Sequence, residues 1–505
     1  MGFQRSLPAE AGPAGVAVVS GRSLARAVSW VWGGHVVGQA AWFGSLIVLG
    51  ALLPPKAFGS VAIGLVIANA AALVQDAGSR GTIVLTRQLR ARDIVRTVVI
   101  NLAIGLAVAV VVALAAGTIV AHFDAGAEVM VLQVLVLSVA VRALAIAPMA
   151  VLQRTMQFKL QASALATSML IAGVSSIVAA ALGAGVWALV VRQLAAAGLL
   201  PLFAWLVARK AIRDELAAPP RARGPSGRKG AIWFFLLAAT DFVALSIDSI
   251  VVGNSRGVAQ LGLYSLAFTL AFAPLTNFAW QIGKVVFPAA AQTAELDLIV
   301  RRMLRITRLT ATVLLPLLPP ILVLAPVLLP AVLGQEWKAM VVPFEILVAV
   351  GIGHAILVAL GDSLSGAGVV AWRARVHVLW ALGMVAALIV FVRLDGITGA
   401  ALAHLVLFVP FALAYLVWGT RHLQTNARAL LGALAEVALP VAAQFVLTVS
   451  ALVALERVLA PLPAALGAAA IGLAFVTGAF ARLTPRLGGE CRDFVRALVS
   501  RSETA

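Results

Sequence analysis

The stretch VWALVVRQLAAAGLLPLFAWLVARK, residues 186–210, decides the class of fold. It is long and apolar enough to cross a bilayer, since a spanning helix needs about 20 apolar residues. It also contains Arg192, and an arginine at the centre of an inserted helix costs about 2.5–3.5 kcal/mol. The chain must therefore offer this guanidinium either a protein partner or water-filled space inside the membrane.

The whole chain has the composition of that stretch. Of its 505 residues 62% are hydrophobic and 11% are charged, and the mean hydropathy is +1.05. Soluble domains average about 25% charged residues, so this mixture cannot cover a water-facing surface. Apolar runs of this length can satisfy their backbone in lipid only as helices. The composition predicts an all-α, polytopic membrane protein.

Fourteen apolar segments predict about 14 transmembrane helices, with two pseudo-symmetric six-helix lobes followed by two more helices. The segments are 29–53, 57–75, 96–121, 128–152, 161–183, 186–208, 231–252, 259–279, 306–330, 340–361, 376–393, 396–418, 432–455 and 462–482. The lobes are suggested by a repeat, because FGSVAIGLVIANAAALVQ (58–75) resembles LGLYSLAFTLAFAPLTNF (261–278), which begins 203 residues later. Internal repeats of this kind are common in secondary transporters.

The basic residues predict the orientation. The N-terminus, the loops after even-numbered segments and the C-terminal tail hold 31 of the 38 lysines and arginines, and the opposite loops hold five. This split predicts a multi-pass protein of the inner (cytoplasmic) membrane with both termini in the cytoplasm. It also argues against nucleic-acid binding, because the net charge of +18 is spread over short loops between apolar segments.

These boundaries divide the chain into six expected parts. They are a cytoplasmic N-terminal segment 1–28, a first lobe 29–208, a cytoplasmic linker 209–230, a second lobe 231–418, additional helices 419–482 and a cytoplasmic tail 483–505. The linker is rich in arginine, lysine, proline and glycine, a composition typical of a flexible connection.

Six stretches along the chain form a recognisable series: PPKAFGSVAIGLVIANAAALVQDAGSRGTIVLTRQL (54–89), LQRTMQFKLQA (152–162), GAGVWALVVRQL (183–194), DSIVVGNSRGVAQLGLYSLAFTLAFAP (248–274), VVFPAAAQ (285–292) and LLPAVLGQEW (328–337). In this order they resemble bacterial polysaccharide exporters and oligosaccharide flippases, in the branch with colanic-acid and teichuronic-acid exporters. That branch belongs to the superfamily that also holds lipid II flippases and multidrug antiporters. The first stretch departs from the family's Leu-Gly-Pro opening, with Pro-Pro-Lys in its place.

The resemblance implies two lobes around a central cavity that opens alternately to either side of the membrane. The implied substrate is an isoprenoid-pyrophosphate-linked glycan, and the implied partners are membrane lipids, glycan-assembly proteins and a coupling proton or sodium ion. A multidrug or metabolite antiporter of the same superfamily is the alternative. A membrane glycosyltransferase or polymerase is a rival of another class, but such enzymes usually carry a large periplasmic loop, and here every predicted outer loop is short.

Four residues of the first lobe are candidates for the cavity wall. Arg142 and Arg192 lie inside apolar segments, and arginine suits a pyrophosphate because its planar fork makes paired hydrogen bonds to phosphate oxygens. The alternative is a fixed ion pair, or for Arg192 a side chain that reaches the outer interface. His35 and Gln39 lie one turn apart on the first helix and could face the same cavity, although a buried, hydrogen-bonded histidine is the commoner case.

Four further residues are candidates for coupling or gating. Asp241 and Asp248 share a face of the seventh helix, and they could pair with the first-lobe arginines, take up a proton or cation, or only stabilise helix packing. Asp76 and Arg80 are expected in a cytoplasmic turn that could gather a pyrophosphate-bearing lipid, although ordinary orientation charge also explains them.

Prolines predict an irregular ninth helix. Pro316, Pro319, Pro320 and Pro326 remove backbone donors and bend a helix, which indicates a hinge for lobe motion or a static kink. The sequence shows no Walker-type, HExxH or Cys/His motif, and Cys491 is its only cysteine. We therefore expect no enzyme activity, no catalytic residues, no cofactor and no metal site.

Overall fold

A computed structural model of the protein describes residues 38–86, 88–123, 129–219, 228–291 and 295–483. Its first half contains the helices α1 Gly38–Leu52, α2 Pro55–Leu85, α3 Ala91–His122, α4 Val129–Ala143, α5 Ile146–Arg154, α6 Phe158–Ala181 and α7 Trp187–Ala217. Its second half contains α8 Arg228–Ala271, α9 Ala273–Ala291, α10 Leu296–Leu314, α11 Leu318–Leu333, α12 Val341–Gly366, α13 Val370–Ala414, α14 Thr420–His422, α15 Ala427–Leu455 and α16 Pro461–Leu483. The predicted all-α fold is confirmed.

Within the described ranges, eleven helical stretches are long and apolar enough to cross a membrane, and α1 is a shorter apolar helix. One of the eleven, Val370–His422, has 53 residues and would be about 80 Å long if straight, against a hydrocarbon core of about 30 Å. It bends sharply at Asp395 and Gly396, and α8 bends in the same way at Gly257. Both glycines have positive φ, 79° and 55°, which other residues rarely adopt. Each of these long helices therefore turns back on itself.

Two helices extend further than the sequence indicates. α2 runs to Leu85, so Asp76 and Arg80 belong to a helix and not to a turn, although their side chains lie outside the described part. α7 runs to Ala217 through the charged stretch 209–217. Hydropathy locates only the apolar part of a helix, and strong helix formers such as arginine, lysine and glutamate carry it into water.

The proline-rich ninth span breaks where its prolines begin. α10 ends at Leu314, a 3₁₀ turn covers Leu315–Leu317, and α11 follows. The amide of Gln444 in α15 donates a hydrogen bond of 2.9 Å to the carbonyl oxygen of Pro316. Gln444 is fully buried. A neighbouring helix thus supplies the donor that the break leaves missing, as irregular backbone in a membrane requires.

We expect Gln444→Leu to destabilise the protein, because it leaves the Pro316 carbonyl buried without this donor. A lost buried hydrogen bond of this kind costs about 1–3 kcal/mol. The thermal unfolding of the purified protein in detergent measures the effect. Gln335→Leu, at an exposed position, is the control, and an equal melting temperature for Gln444→Leu and the wild type would contradict this role.

The two halves share one hydrophobic core at one end of the molecule only. We call this the outer end. Its loops hold only five of the 38 lysines and arginines, Lys56, Arg256, Lys338, Arg393 and Arg457, and we call the opposite end, which has far more of them, the basic end. From the first half the shared core takes residues only from 46–63, 131–135 and 188–190, and it joins them to residues such as Tyr264 and Trp337 of the second half. Within this core the Phe58 ring of the first half meets the Trp337 ring of the second half edge to face, with 5.2 Å between the ring centroids.

At the basic end each half has a core of its own. One core contains Ile83, Leu152 and Ala208 of the first half, and the other contains Met303, Leu364 and Tyr415 of the second. The buried clusters of the described residues therefore join the halves at the outer end and separate them at the basic end.

Two glycines of the sequence repeat form the closest approach between the halves. Gly59 of α2 packs against the carbonyl group of Val258, and Gly262 of α8 packs against the carbonyl group of Pro55. Gly262 follows Gly59 by 203 residues, and Val258 follows Pro55 by the same 203. The contact is therefore reciprocal and nearly two-fold symmetric. A side chain on either glycine would overlap backbone of the other half.

Candidate functional site

Arg142 projects from the buried side of α4, near the basic end of the molecule. It follows Val131 by 11 residues and Leu135 by 7, so it lies within about 20° of both around the helix axis. Val131 and Leu135 are buried in the shared core, whereas Arg142, nearer the basic end, is exposed. The lipid-facing residues Met130 (59% exposed) and Leu137 (47%) lie about 120–140° away. Arg142 thus continues the buried face of α4 to a point where that face becomes exposed.

Arg192 has protein partners instead of water. It is 6% exposed, and its guanidinium carbon lies 3.4 Å from the centroid of the Trp42 ring of α1. Its Nε donates to the Ser45 hydroxyl at 3.1 Å, and its Nη2 donates to the Trp42 carbonyl at 2.9 Å. A cation over a tryptophan face is attracted by the ring quadrupole, most strongly where water is excluded. These contacts fix α7 to α1 in the conformation described here.

Gln39 and His35 are the other candidates of the first lobe. Gln39 is half-buried and lies one turn before Trp42 on α1, near the contacts of Arg192. His35 lies outside the described residues.

Asp248 is the centre of a buried polar cluster in the second half. It is fully buried, and its Oδ2 accepts a hydrogen bond of 2.9 Å from the Tyr264 hydroxyl. The His404 Nε2 lies 3.5 Å from the same oxygen, and the Ser249 backbone N–H donates to Oδ1 at 2.7 Å. Tyr264 and His404 are 0% and 1% exposed. A carboxylate, a phenol and an imidazole that are buried together at these distances can hold or exchange a proton.

The cluster around Asp248 and the contact of Arg192 occupy related positions in the repeat. Asp248 follows Ser45 by 203 residues, the separation that relates the paired glycines. In the first half the partner from the last helix of the lobe is an arginine, Arg192, and in the second half it is a histidine, His404. The first half therefore places an arginine at this position, and the second half places a histidine.

The sequence indicated Asp248 but not its partners. Tyr264 lies in the stretch 248–274 that resembles the exporters, and His404 is a lone ionisable residue on an apolar helix. Neither observation reveals that α8 folds back at the kink at Gly257. The fold brings the Tyr264 hydroxyl into hydrogen-bond contact with Asp248, 16 residues earlier in the chain. The Asp241 side chain lies outside the described part.

Buried or half-buried ion pairs brace the basic end of each half. Arg154 Nε lies 2.6 Å from Glu215 Oε2, and the Arg154 Nη1 also donates to the carbonyls of Ile83 and Thr86 at the end of α2. In the second half Arg373 Nη1 lies 2.6 Å from Asp362 Oδ1. These partners explain why Arg154 and Arg373 can be partly or wholly buried.

Among the described residues, no group of three histidine, cysteine, aspartate or glutamate side chains could hold a metal ion.

Comparisons with known proteins agree with the architecture. A protein-family model described as "Polysaccharide biosynthesis protein" matches residues 48–342, more than half of the chain. The teichuronic acid biosynthesis protein TuaB of Bacillus subtilis (strain 168) is 29% identical over 147 residues, 28% of this chain and 30% of that protein. The succinoglycan biosynthesis transport protein ExoT of Rhizobium meliloti (strain 1021) is 21% identical over 327 residues, 63% of this chain and 64% of that protein. The matches thus span less than two thirds of either relative.

Two solved structures show the same fold. The lipid II flippase MurJ in an inward closed conformation has a TM-score of 0.57 and 13% identity, over 91% of this chain and 99% of that one. An inward-facing multidrug resistance transporter of the MATE family has a TM-score of 0.56 and 16% identity, over 79% and 98%. At this identity the likeness concerns the fold alone, a bundle of membrane-spanning helices that this chain shares with both structures.

Proposed function

The chain belongs to the polysaccharide biosynthesis protein family, and from this membership we propose that it moves a lipid-linked oligosaccharide or polysaccharide precursor across the cytoplasmic membrane by alternating access. The observation that carries the proposal is the exposed Arg142 in the last turn of α4, toward the basic end, where the two halves have separate cores. The printed functions of the relatives, teichuronic acid biosynthesis and succinoglycan transport, support the class of cargo.

The cargo we propose carries a pyrophosphate between an isoprenoid chain and a glycan. Arg142 would meet this group after it enters from the basic end, where the halves have separate cores. A guanidinium stays charged at any accessible pH and pairs with phosphate oxygens through two hydrogen bonds. Arg192 has a different task in this proposal, because it is buried against Trp42 and Ser45. It stabilises the first half around the cavity in the conformation described here.

The energy source we propose is a proton that binds the cluster of Asp248, Tyr264 and His404. The Asp248 carboxylate accepts a hydrogen bond from Tyr264 and lies 3.5 Å from the His404 Nε2, so a proton could pass between these groups. Proton movement within the cluster would change the contact between α8 and α13, which both belong to the second half. A sodium ion at the same carboxylate is the variant that the tests below distinguish.

The orientation we propose puts the basic end and both termini in the cytoplasm, in the inner membrane, near the proteins that assemble the glycan. The chain would carry its substrate without altering it chemically. A membrane glycosyltransferase or polymerase is less well supported, because the outer connections in the described ranges are tight, such as the kinks at Gly257 and Gly396. A multidrug or metabolite antiporter fits an arginine in the cavity less well than an anionic cargo does.

Arg142→Ala tests the cargo. We expect it to lower the display of the exported glycan at the cell surface at least tenfold, since a hydrogen bond to a charged group contributes about 1.5–3 kcal/mol and each 1.4 kcal/mol is about tenfold. Arg142→Lys keeps the charge and should retain part of the activity. Arg302→Ala, an exposed arginine elsewhere at the basic end, is the matched control. Normal display by Arg142→Ala, with normal amounts of protein in the membrane, would rule out this role.

A further inference from the structure

A cationic cleft lies between α10 and α15 at the basic end, away from the interface of the two halves. Its lining includes Arg301, Arg305 and Arg308 of α10 and Arg428, Gly432 and Glu436 of α15. Its volume is about 380 Å³. Four arginines thus face one glutamate. The small residues of α15 leave room between the guanidinium groups and the opposite helix.

The positive charges are placed together by the helix geometry. Arg301, Arg305 and Arg308 follow each other at spacings of four and three residues, so they share one face of α10. Glu436 lies 3.5 Å from the Arg308 Nη1 and offsets one of the charges. Arg428 lies in the first turn of α15, where the helix dipole disfavours a cation. An anion in the cleft would offset the unfavourable interaction of Arg428 with the helix dipole. It would also lower the electrostatic repulsion among the arginines.

The cleft lies at the depth of lipid headgroups. The span Leu296–Leu333 has 38 residues, about 57 Å, and its outer end is Leu333. Arg308 and Arg301 therefore lie about 37 and 48 Å along the span from that end, past a hydrocarbon core about 30 Å thick. The arginines are exposed or half-buried there, within reach of a headgroup of the adjoining leaflet.

An apolar stripe continues from the cleft along α15. Leu439, Val446 and Val453 follow Gly432 at successive steps of seven residues, so they prolong the face that lines the cleft. They are 72%, 65% and 50% exposed. A hydrocarbon chain can lie along this stripe while its polar end occupies the cleft. A soluble phosphate would use the arginines but not the stripe.

The geometry points to a binding site for a phosphate-bearing headgroup of an anionic membrane lipid, held by Arg301, Arg305 and Arg428 with its acyl chain along α15. Arginine is suited to this group because its donors pair with phosphate oxygens. The site joins α10 to α15 within the second half. It is separate from the proposed cargo cavity, and its existence does not depend on the nature of the cargo.

The test uses the purified full-length chain in detergent and measures melting temperature against added ligand. Dioleoyl phosphatidic acid should raise the melting temperature more than dioleoyl phosphatidylcholine. Arg301→Gln/Arg305→Gln/Arg428→Gln should raise the half-saturating phosphatidic acid concentration at least about tenfold. The control Arg209→Gln/Arg302→Gln/Arg421→Gln removes three exposed charges from the same end outside the cleft and should respond like the wild type.

Sodium pyrophosphate separates the two sources of phosphate. If it stabilises the protein less than the lipid does, the site is that of a lipid headgroup. If it binds as tightly as phosphatidic acid, the acyl-chain part of the inference is wrong. Equal loss of response in both triple variants would show diffuse surface charge and overturn the site. No difference between phosphatidic acid and phosphatidylcholine would overturn it as well. Single variants Arg428→Gln and Arg421→Gln repeat the comparison if a triple variant does not fold.

Discussion

Replacing Asp248 by asparagine is expected to remove the response of transport to an ion gradient while the protein stays folded. Asparagine keeps the shape of the side chain and can still bond to the Tyr264 hydroxyl and the Ser249 backbone, but it cannot take up a proton. A gradient of one pH unit supplies about 1.4 kcal/mol per proton, or about a tenfold effect. We therefore expect about a tenfold loss of gradient-stimulated transport per pH unit for a protein coupled to one proton.

Proteoliposomes with an imposed pH gradient measure this effect. Asp297→Asn removes a carboxylate from an exposed position of α10 and is the matched control. His404→Gln should give a similar loss, because the histidine is the second titratable group of the cluster. If Asp248→Asn responds to the pH gradient like the wild type, the cluster only stabilises packing. A response to a sodium gradient alone would assign the coupling to sodium.

Replacing Gly262 by alanine is expected to open the outer end of the protein. The added methyl group would overlap the carbonyl of Pro55, which is backbone and cannot turn aside as a side chain can. Overpacking of this kind costs about 1–3 kcal/mol, and it acts only on the conformation in which the halves touch. A difference of 1.4 kcal/mol changes a two-state population ratio about tenfold. The population of the outward-open state should therefore rise strongly relative to the state in which the outer end is closed. Gly59→Ala should act in the same direction, against Val258.

Distances between spin labels measure this opening. Leu182→Cys and Leu394→Cys place labels on exposed residues at the outer ends of the first and second halves, in a Cys491→Ser background. Gly117→Ala is the control, because a methyl group there meets no atom within 4 Å. We expect a longer label-to-label distance to become populated in Gly262→Ala and not in Gly117→Ala. An unchanged distribution in Gly262→Ala would show that the glycine contact does not hold the outer end closed.

The fold could be predicted from the sequence because the bilayer imposes its own pattern. A long apolar run such as 186–210 allows only a helix, and the match between 58–75 and 261–278 marks the repeat whose glycines meet in the structure. Helix ends were less predictable. α2 and α7 continue into polar sequence, where hydropathy no longer distinguishes helix from loop.

The candidate site could be predicted only as far as single residues. An arginine or aspartate inside an apolar segment is conspicuous, so Arg192 and Asp248 stand out from sequence alone. Their partners do not, because Ser45 lies 147 residues before Arg192 and His404 lies 156 residues after Asp248. The sequence also gives no sign that Arg192 is covered by Trp42 while Arg142 is exposed. That difference depends on which face of each helix meets another, and only the packing decides it.

We propose that an anionic, lipid-linked glycan crosses the membrane through a cavity between the two halves. Translocation of a fluorescent isoprenoid-pyrophosphate oligosaccharide in proteoliposomes tests it most directly, with the same glycan on an uncharged isoprenoid as the comparison. We expect the wild-type protein to move the pyrophosphate compound much faster than empty liposomes do, and faster than it moves the uncharged compound, and Arg142→Ala to lose that preference. Equal rates in proteoliposomes and empty liposomes, or equal rates for the two compounds, would contradict the account.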